Sequence, residues 1–323
     1  MGTIRNILIV AQNGRLQYEA LLFAASLRHV AANSGLRLVV AEPQPGPLWE
    51  DDPRISRPAI RRELRALGAE IVPLHNKVFG ARYPQGNKLE ALALLPAGEP
   101  FAFFDTDTLV TGPIADVVAG PPTASTMVEP TWPREPLYGP SLAQIWGALY
   151  DRFGLDMTPT LDTQFGADDW RRYLYFNAGW FTAECPHQLG TRLLHYAQDI
   201  ARDPPPELAT QTLYPWLDQI VLPLAVAALG GGRRNTGLDA EKSLHYRALP
   251  EIYAYGSDHA VDILEQVTRA PHLWDIFNQH VAFRRMIFKE NGPNLRQIMA
   301  GTPPPFTYWG RKKRIMDAGH WIR

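Results

Sequence analysis

Two aspartates one residue apart, Asp105 and Asp107, follow the apolar run Phe101-Ala102-Phe103-Phe104. Carboxylates at this spacing beyond a buried strand can chelate a divalent cation from a turn, and hard oxygen ligands suit Mn²⁺ or Mg²⁺. Such ions keep coordination places for phosphate oxygens and water. The pair therefore suits neutralisation of charge on a departing diphosphate. A turn capped by side-chain-to-backbone hydrogen bonds is the plain structural alternative.

The elements that must position this pair are legible upstream. Ile7–Ala11 is a continuous apolar run, as in a central strand buried on both faces. Leu16–Ala32 has a helical period, Leu36–Ala41 reads as a second strand, Ala59–Leu67 as a helix entered through Pro58, and Ala69–Leu74 as a third strand. Lys88–Leu95 is a further helix, stopped by Pro96-Ala97-Gly98-Glu99-Pro100, and the next strand, Phe101–Phe104, delivers the acids at its carboxyl end. Ligands of open α/β sheets bind at that end of the strands. Gly112 to Arg172 is rich in Pro, Trp and Gly and reads as loops with short helices. Leu174–Ala183 is a strand, Leu189–Ala201 a helix, and Trp216–Leu229 an apolar helix closed by Gly230-Gly231-Gly232.

Composition narrows the function classes. Among 323 residues, 32 basic side chains face 33 acidic ones for a net charge of -1, which speaks against nucleic acid as a partner. The single cysteine, Cys185, permits no internal disulfide and no cysteine-rich zinc site. The N-terminal apolar run is too brief for a signal-peptide core, and the longest apolar stretch, Ile220 to Gly232, is interrupted by Pro223 and short of a bilayer span. A cytoplasmic location is expected. The basic run Arg311-Lys312-Lys313-Arg314 reads as a solvated tail or a weak contact for anionic lipid at a membrane surface.

Three segments together carry a family resemblance. The first runs from Asn87-Lys88-Leu89-Glu90-Ala91-Leu92 through Pro96 to Phe103-Phe104-Asp105-Thr106-Asp107-Thr108-Leu109-Val110-Thr111-Gly112-Pro113-Ile114. The second is Tyr175-Phe176-Asn177-Ala178-Gly179-Trp180-Phe181, and the third is Trp216-Leu217-Asp218-Gln219. In this order they resemble glycosyltransferase family 8, with glycogenin and bacterial lipopolysaccharide galactosyltransferases as relatives. The resemblance implies a GT-A-type α/β fold with a mixed, mainly parallel sheet flanked by helices and a Rossmann-like nucleotide-binding half. It also implies Mn²⁺ (or Mg²⁺), a nucleotide-diphospho-sugar donor (a UDP-sugar above all), an acceptor glycan, lipid or protein, and a retaining course. Carried over residue by residue, Asp105 and Asp107 bind metal, Lys88 faces the nucleotide, Asn177 and Gly179 shape the sugar site, and Asp218 with Gln219 borders the anomeric carbon as the catalytic pair. Gln12 and Asn13, ending the first strand, fall where such folds hold base and ribose. The family's C-terminal segment of His, Gly and Lys-Pro-Trp is not present as such. Leu244-His245-Tyr246-Arg247 is the substitute, with His245 as third metal ligand, His272 as its competitor and Arg247 in part of the lysine's place. The expected division is a nucleotide-sugar-binding half over 1–112, an acceptor- and sugar-binding half of the same GT-A domain over 113–265, and a C-terminal helical extension with basic tail over 266–323.

Two other functions compete. Phe103 to Val110 is also similar to the first motif of haloacid-dehalogenase-type phosphatases, with Asp105 as nucleophile and Asp107 as acid/base. That motif belongs on the first strand of its domain, whereas three α/β units precede it here. The later acidic pair Asp168-Asp169 follows no hydrophobic strand. The other rival is a non-catalytic sugar-nucleotide-binding protein. Trp132, Trp146, Trp170 and Trp180 are candidates for stacking on sugar, with the core as their alternative place.

Overall fold

The computed structural model describes residues 2–323 except Asn33, Met127 to Glu129, Leu137 and Ala240. The first half alternates strand and helix: β1 (Asn6–Val10), α1 (Arg15–Val30), β2 (Arg37–Pro43), α2 (Pro58–Ala66), β3 (Ala69–Leu74), α3 (Asn87–Ala91) and β4 (Phe101–Phe104). Then follow β5 (Thr108–Val110), β6 (Thr123–Ser125), α4 (Leu142–Arg152), β7 (Asn177–Ala183), α5 (Pro186–Arg202), α6 (Leu217–Ala228) and β8 (Ser243–His245). The remainder is helical: α7 (Leu249–Tyr255), α8 (Asp258–Thr268), α9 (Pro271–Gln279), α10 (Val281–Phe283), α11 (Asn291–Met299) and α12 (Tyr308–Asp317).

Six strands form the central sheet in the order β3-β2-β1-β4-β7-β6. β1 to β4 are parallel, β7 runs against β4, and β6 runs against β7. Five strands thus share one direction and β7 alone opposes it. This is the mixed, mainly parallel sheet flanked by helices that the sequence led us to expect. The central strands are apolar on both sides because each face has its own cover. Ile7, Ile9, Ala102 and Phe104 point into a core built with α1 and the C-terminal helices. Leu8, Phe101 and Phe103 point into a second core with α4, α5 and α6. Period-two alternation is hidden by this double burial.

Local chemistry explains most boundaries. α1 is buried on nearly every side, from Gln17 to Leu27, between sheet and C-terminal helices. α4 begins with a capping box in which Ser141 and Gln144 exchange side-chain and backbone hydrogen bonds. α6 contains Pro223, whose missing N–H leaves the Gln219 carbonyl without its intrahelical donor. α12 ends in a Schellman motif: the Gly319 N–H donates to the Met316 carbonyl and the His320 N–H to that of Ile315, with Gly319 at φ +76°. No helix among the described residues is long and apolar enough to cross a membrane.

Candidate functional site

The carboxyl ends of β1 and β4 open into a cleft, and three local pairings converge there. β4 ends where the Asp105 N–H donates 2.8 Å to the Gly179 carbonyl, which continues the β4–β7 ladder and sets the acidic turn opposite Asn177–Gly179. The short ribbon of β5 and β8 pairs Thr108 with His245, and the Tyr246 N–H extends it by donating 3.0 Å to the Asp107 carbonyl. His245 is thereby held beside Asp107, its Nε2 3.1 Å from Oδ1. One ligand atom from each of Asp105, Asp107 and His245 falls within 4.8 Å of the others. Two carboxylate oxygens and an imidazole nitrogen make a donor set that could hold a divalent cation. His272 lies exposed on α9, outside this group.

Gly179 explains how the imidazole comes so close to the sheet. A Cβ there would lie 2.6 Å from His245 Cε1 and 2.8 Å from Asn177 Oδ1, an oxygen that already accepts the Gly179 N–H at 2.8 Å. The glycine is a close-approach residue.

The two acids have different electrostatic surroundings. Burial pushes both carboxyls up. For Asp105 that effect prevails, although the Lys88 ammonium 2.8 Å away opposes it. For Asp107 the His245 imidazole prevails, aided by Arg15, whose guanidinium is 3.8 Å away, and its carboxyl is held below the ordinary range. Lys88 is buried. Its Nζ also pairs with Asp218 at 3.0 Å and donates to the Ala178 carbonyl at 3.1 Å. Burial opposes its charge, but the two aspartates raise its pKa. Lys88 thus links α3, β4 and the first turn of α6.

Asp218 is fixed from its other side by Tyr83, whose hydroxyl donates to Oδ1 at 2.8 Å and accepts the Asp218 N–H at 2.8 Å. Its neighbour Gln219 accepts from the Tyr175 hydroxyl at 2.8 Å. Behind Asp107, Glu19 is buried on α1 against Arg15 and accepts from Thr106 Oγ1 at 3.3 Å. Burial, reinforced by Asp107 and opposed by Arg15, raises the Glu19 carboxyl to about 8.

Two cavities meet at the acids. One, of about 240 Å³, is lined by Val10, Gln12, Arg15, Asn87 and Phe103 among others. The other, of about 530 Å³, is lined by Tyr175, Asn177, Trp216, Asp218, Gln219 and Trp309 among others. Gln12 Nε2 and Asn87 Nδ2 are buried amide donors without a partner among the described residues, and both residues line the first cavity. Buried donors left unpaired await a ligand or water.

The site therefore gathers Asp105, Asp107, His245, Lys88, Asn177, Gly179, Asp218, Gln219 and Gln12. Asn13 turns aside, its amide donating to the Asp52 carbonyl in an adjoining shallow pocket. Arg15, Glu19, Tyr83 and Arg323 also belong to the surroundings and have no role in the sequence analysis, while Asn87 and Tyr175 enter it only as the first residues of family-like segments. Of the first four, Arg15 has a local signal, its place just after Asn13-Gly14 at a strand-to-helix turn. Of the tryptophans, Trp132, Trp146 and Trp180 are core residues. Trp170 is half-buried near Phe306, and Trp216 and Trp309 face the larger cavity. The pair named for the phosphatase alternative, Asp168-Asp169, lines neither cavity, and Asp169 caps a short turn and pairs with Arg171.

No curated protein matches the sequence. Among solved structures, galactosyltransferase LgtC in complex with donor and acceptor sugar analogues is 14% identical, with 84% of this chain and 99% of that one covered at a TM-score of 0.49. The bifunctional glycosyltransferase WbbM is 12% identical over 87% of this chain and 52% of its own, at 0.46. The glycosyltransferase GlyE of Streptococcus pneumoniae TIGR4 is 14% identical over 90% and 64%, at 0.44. The sequence itself, from residue 7 to residue 230, matches the Rhodobacterales glycosyltransferase domain. That span runs from β1 beyond α6 and takes in Asp105, Asp107, Asn177 and Asp218, so the chain belongs to this family and is a glycosyltransferase enzyme.

Proposed function

We propose that this glycosyltransferase uses a nucleotide-diphospho-sugar, a UDP-sugar above all, with Mn²⁺ or Mg²⁺ held by Asp105, Asp107 and His245. The observation that carries the reading is the convergence of these three ligand atoms, within 4.8 Å of one another, where two cavities meet. The smaller cavity, with the unpaired amides of Gln12 and Asn87, suits the nucleoside. The larger, with aromatic walls and the polar groups of Asn177, Asp218 and Gln219, suits the donor sugar and acceptor. In this reading residues 1–112 contribute the nucleotide side and 113–265 the sugar and acceptor side.

A divalent cation bound there supplies positive charge to the leaving diphosphate. The chain's own groups orient the reactants. Lys88 holds Asp105 and Asp218 in one frame, and Tyr83 keeps Asp218 facing the sugar side. The Asn177 side chain, tied to the Gly179 N–H, keeps its turn open beside the imidazole. A thermal-shift series with UDP, GDP, ADP and their sugars, with and without Mn²⁺, tests the reading. The expected outcome is a metal-dependent rise with one diphosphate, lost in Asp105→Asn and Asp107→Asn. No response to any of them would overturn it.

A further inference from the structure

The two cavities share five lining residues: Gln85, Lys88, Asp105, Asp107 and Arg323. A donor with its nucleoside in one cavity and its sugar in the other must pass its diphosphate across these five. The diphosphate is an anion meeting two carboxylates, so cationic groups have to compensate. Lys88 is already committed, because the three hydrogens of an ammonium are matched by Asp105, Asp218 and the Ala178 carbonyl. Arg15 lines the smaller cavity alone, off the seam, where its guanidinium lies against Glu19 and 3.8 Å from Asp107.

Arg323 differs. Among the described residues its guanidinium makes no hydrogen bond or ion pair, yet its charge is felt at Asp107, Glu19 and Tyr308. We propose that Arg323 is the guanidinium contact for the donor's diphosphate at the seam of the two cavities. The inference rests on the donor reading above and adds to it a residue outside the matched family segment. Guanidinium suits the task, since its planar fork meets phosphate oxygens with two parallel hydrogen bonds.

The chain around it is built to deliver this side chain. The Schellman motif at Gly319 turns the backbone off α12. Trp321 and Ile322, both half-buried, then pack on the core shared with α1. Trp321 also meets the Tyr308 ring at 6.3 Å and the Lys312 ammonium at 5.2 Å. Two apolar anchors in succession fix the position of the residue after them.

The test uses the full chain with Mn²⁺ and titrates UDP, UMP and inorganic pyrophosphate against wild type, Arg323→Ala and Arg323→Lys. Loss of a charge-assisted contact should weaken UDP and pyrophosphate about tenfold or more in Arg323→Ala. UMP should lose less, and Arg323→Lys should recover part of the loss. Melting temperatures without ligand should match wild type, which separates a binding effect from a folding one. Unchanged UDP and pyrophosphate affinity in Arg323→Ala, with Asp107→Asn still abolishing both, would overturn this assignment and leave the donor reading standing. An equal loss for UMP and UDP would overturn it as well, by moving the contact off the diphosphate. If wild type binds none of the three, and GDP and ADP likewise fail, the donor reading falls and takes the assignment with it.

Discussion

At the scale of single residues, the site is organised by charges that answer one another. Lys88 stands between Asp105 and Asp218, and both the lysine and Asp218 side chains are nearly out of solvent. Removing one partner of a buried ion pair costs about 3–5 kcal/mol because the other charge is left uncompensated. Lys88→Met should therefore destabilise the metal-free protein by about 3 kcal/mol in urea unfolding at neutral pH. Added Mn²⁺ should recover part of the loss, since a cation at Asp105 replaces the missing ammonium. Recovery with Mg²⁺ or Mn²⁺ absent from the curves would argue against a cation site at Asp105. Gly179 makes a second, independent case. Gly179→Ala places a methyl against the His245 ring and Asn177 Oδ1, so the ring must move. Disturbing the orientation of a ligand typically costs 10–100-fold in metal affinity, and Mn²⁺ titration of this variant should fall in that range. An unchanged affinity would remove His245 from the ligand set. The family resemblance makes Gly179 part of the sugar site. Its packing against a ring from a distant strand is a tertiary fact that no local pattern encodes.

At the scale of elements, legibility follows length and burial. β3 and β4 were read at the bounds the structure has, and β1, β2, α1, α2, α5 and α6 within a few residues, because long apolar or helically periodic runs leave a clear signal. β5, β6 and β8 have three residues each and no room for alternation, so none was read. Yet the β5–β8 ribbon is what brings His245 to Asp107. The sequence offered His245 and His272 as alternatives, and only the pairing of two illegible strands separates them. α4 has a local start signal in Ser141-Leu142-Ala143-Gln144, but the prolines around it give the whole stretch the look of loops with short helices. The junction of α6 with the turn before α3 was likewise invisible, because Tyr83 belongs to no motif. Its hydroxyl both donates to the Asp218 carboxylate and accepts the Asp218 N–H in a buried setting. Tyr83→Phe strands that N–H, at about 1–3 kcal/mol of stability. The freed carboxylate should turn, so donor-sugar affinity should drop more than that for UDP alone. Equal changes for UDP and UDP-sugar would mean that the tyrosine serves the fold and not the orientation of Asp218.

For the molecule as a whole, one feature stands out, a carboxyl group inside a largely buried helix. α1 lies between the sheet and the C-terminal helices, and Glu19 sits within it with its side chain 5% exposed. Burial raises its pKa from 4.5 to about 8. Glu251, on α7, is raised from 4.5 to about 7, chiefly by burial with Arg311 opposing. A folded-state pKa above the unfolded one means that the native state binds more protons between the two values. Stability from such a group is complete below about 4.5 and is lost as pH rises through 8. Asp105, also raised by burial, acts in the same direction, whereas the lowered Asp107 acts oppositely and below the carboxylate's ordinary value. The metal-free protein should accordingly lose stability steadily from pH 5 toward pH 8, on the order of a few kcal/mol. Glu19→Gln removes the largest of these groups but retains an acceptor for Arg15 and Thr106. Its stability curve should fall less over the same window and cross above that of wild type near pH 8, with Glu251 left to supply the residual slope. Denaturant midpoints measured at several pH values decide the matter. Parallel curves for variant and wild type would show that Arg15 keeps Glu19 ionised throughout, making the Arg15–Glu19 pair a fixed part of the wall behind Asp107.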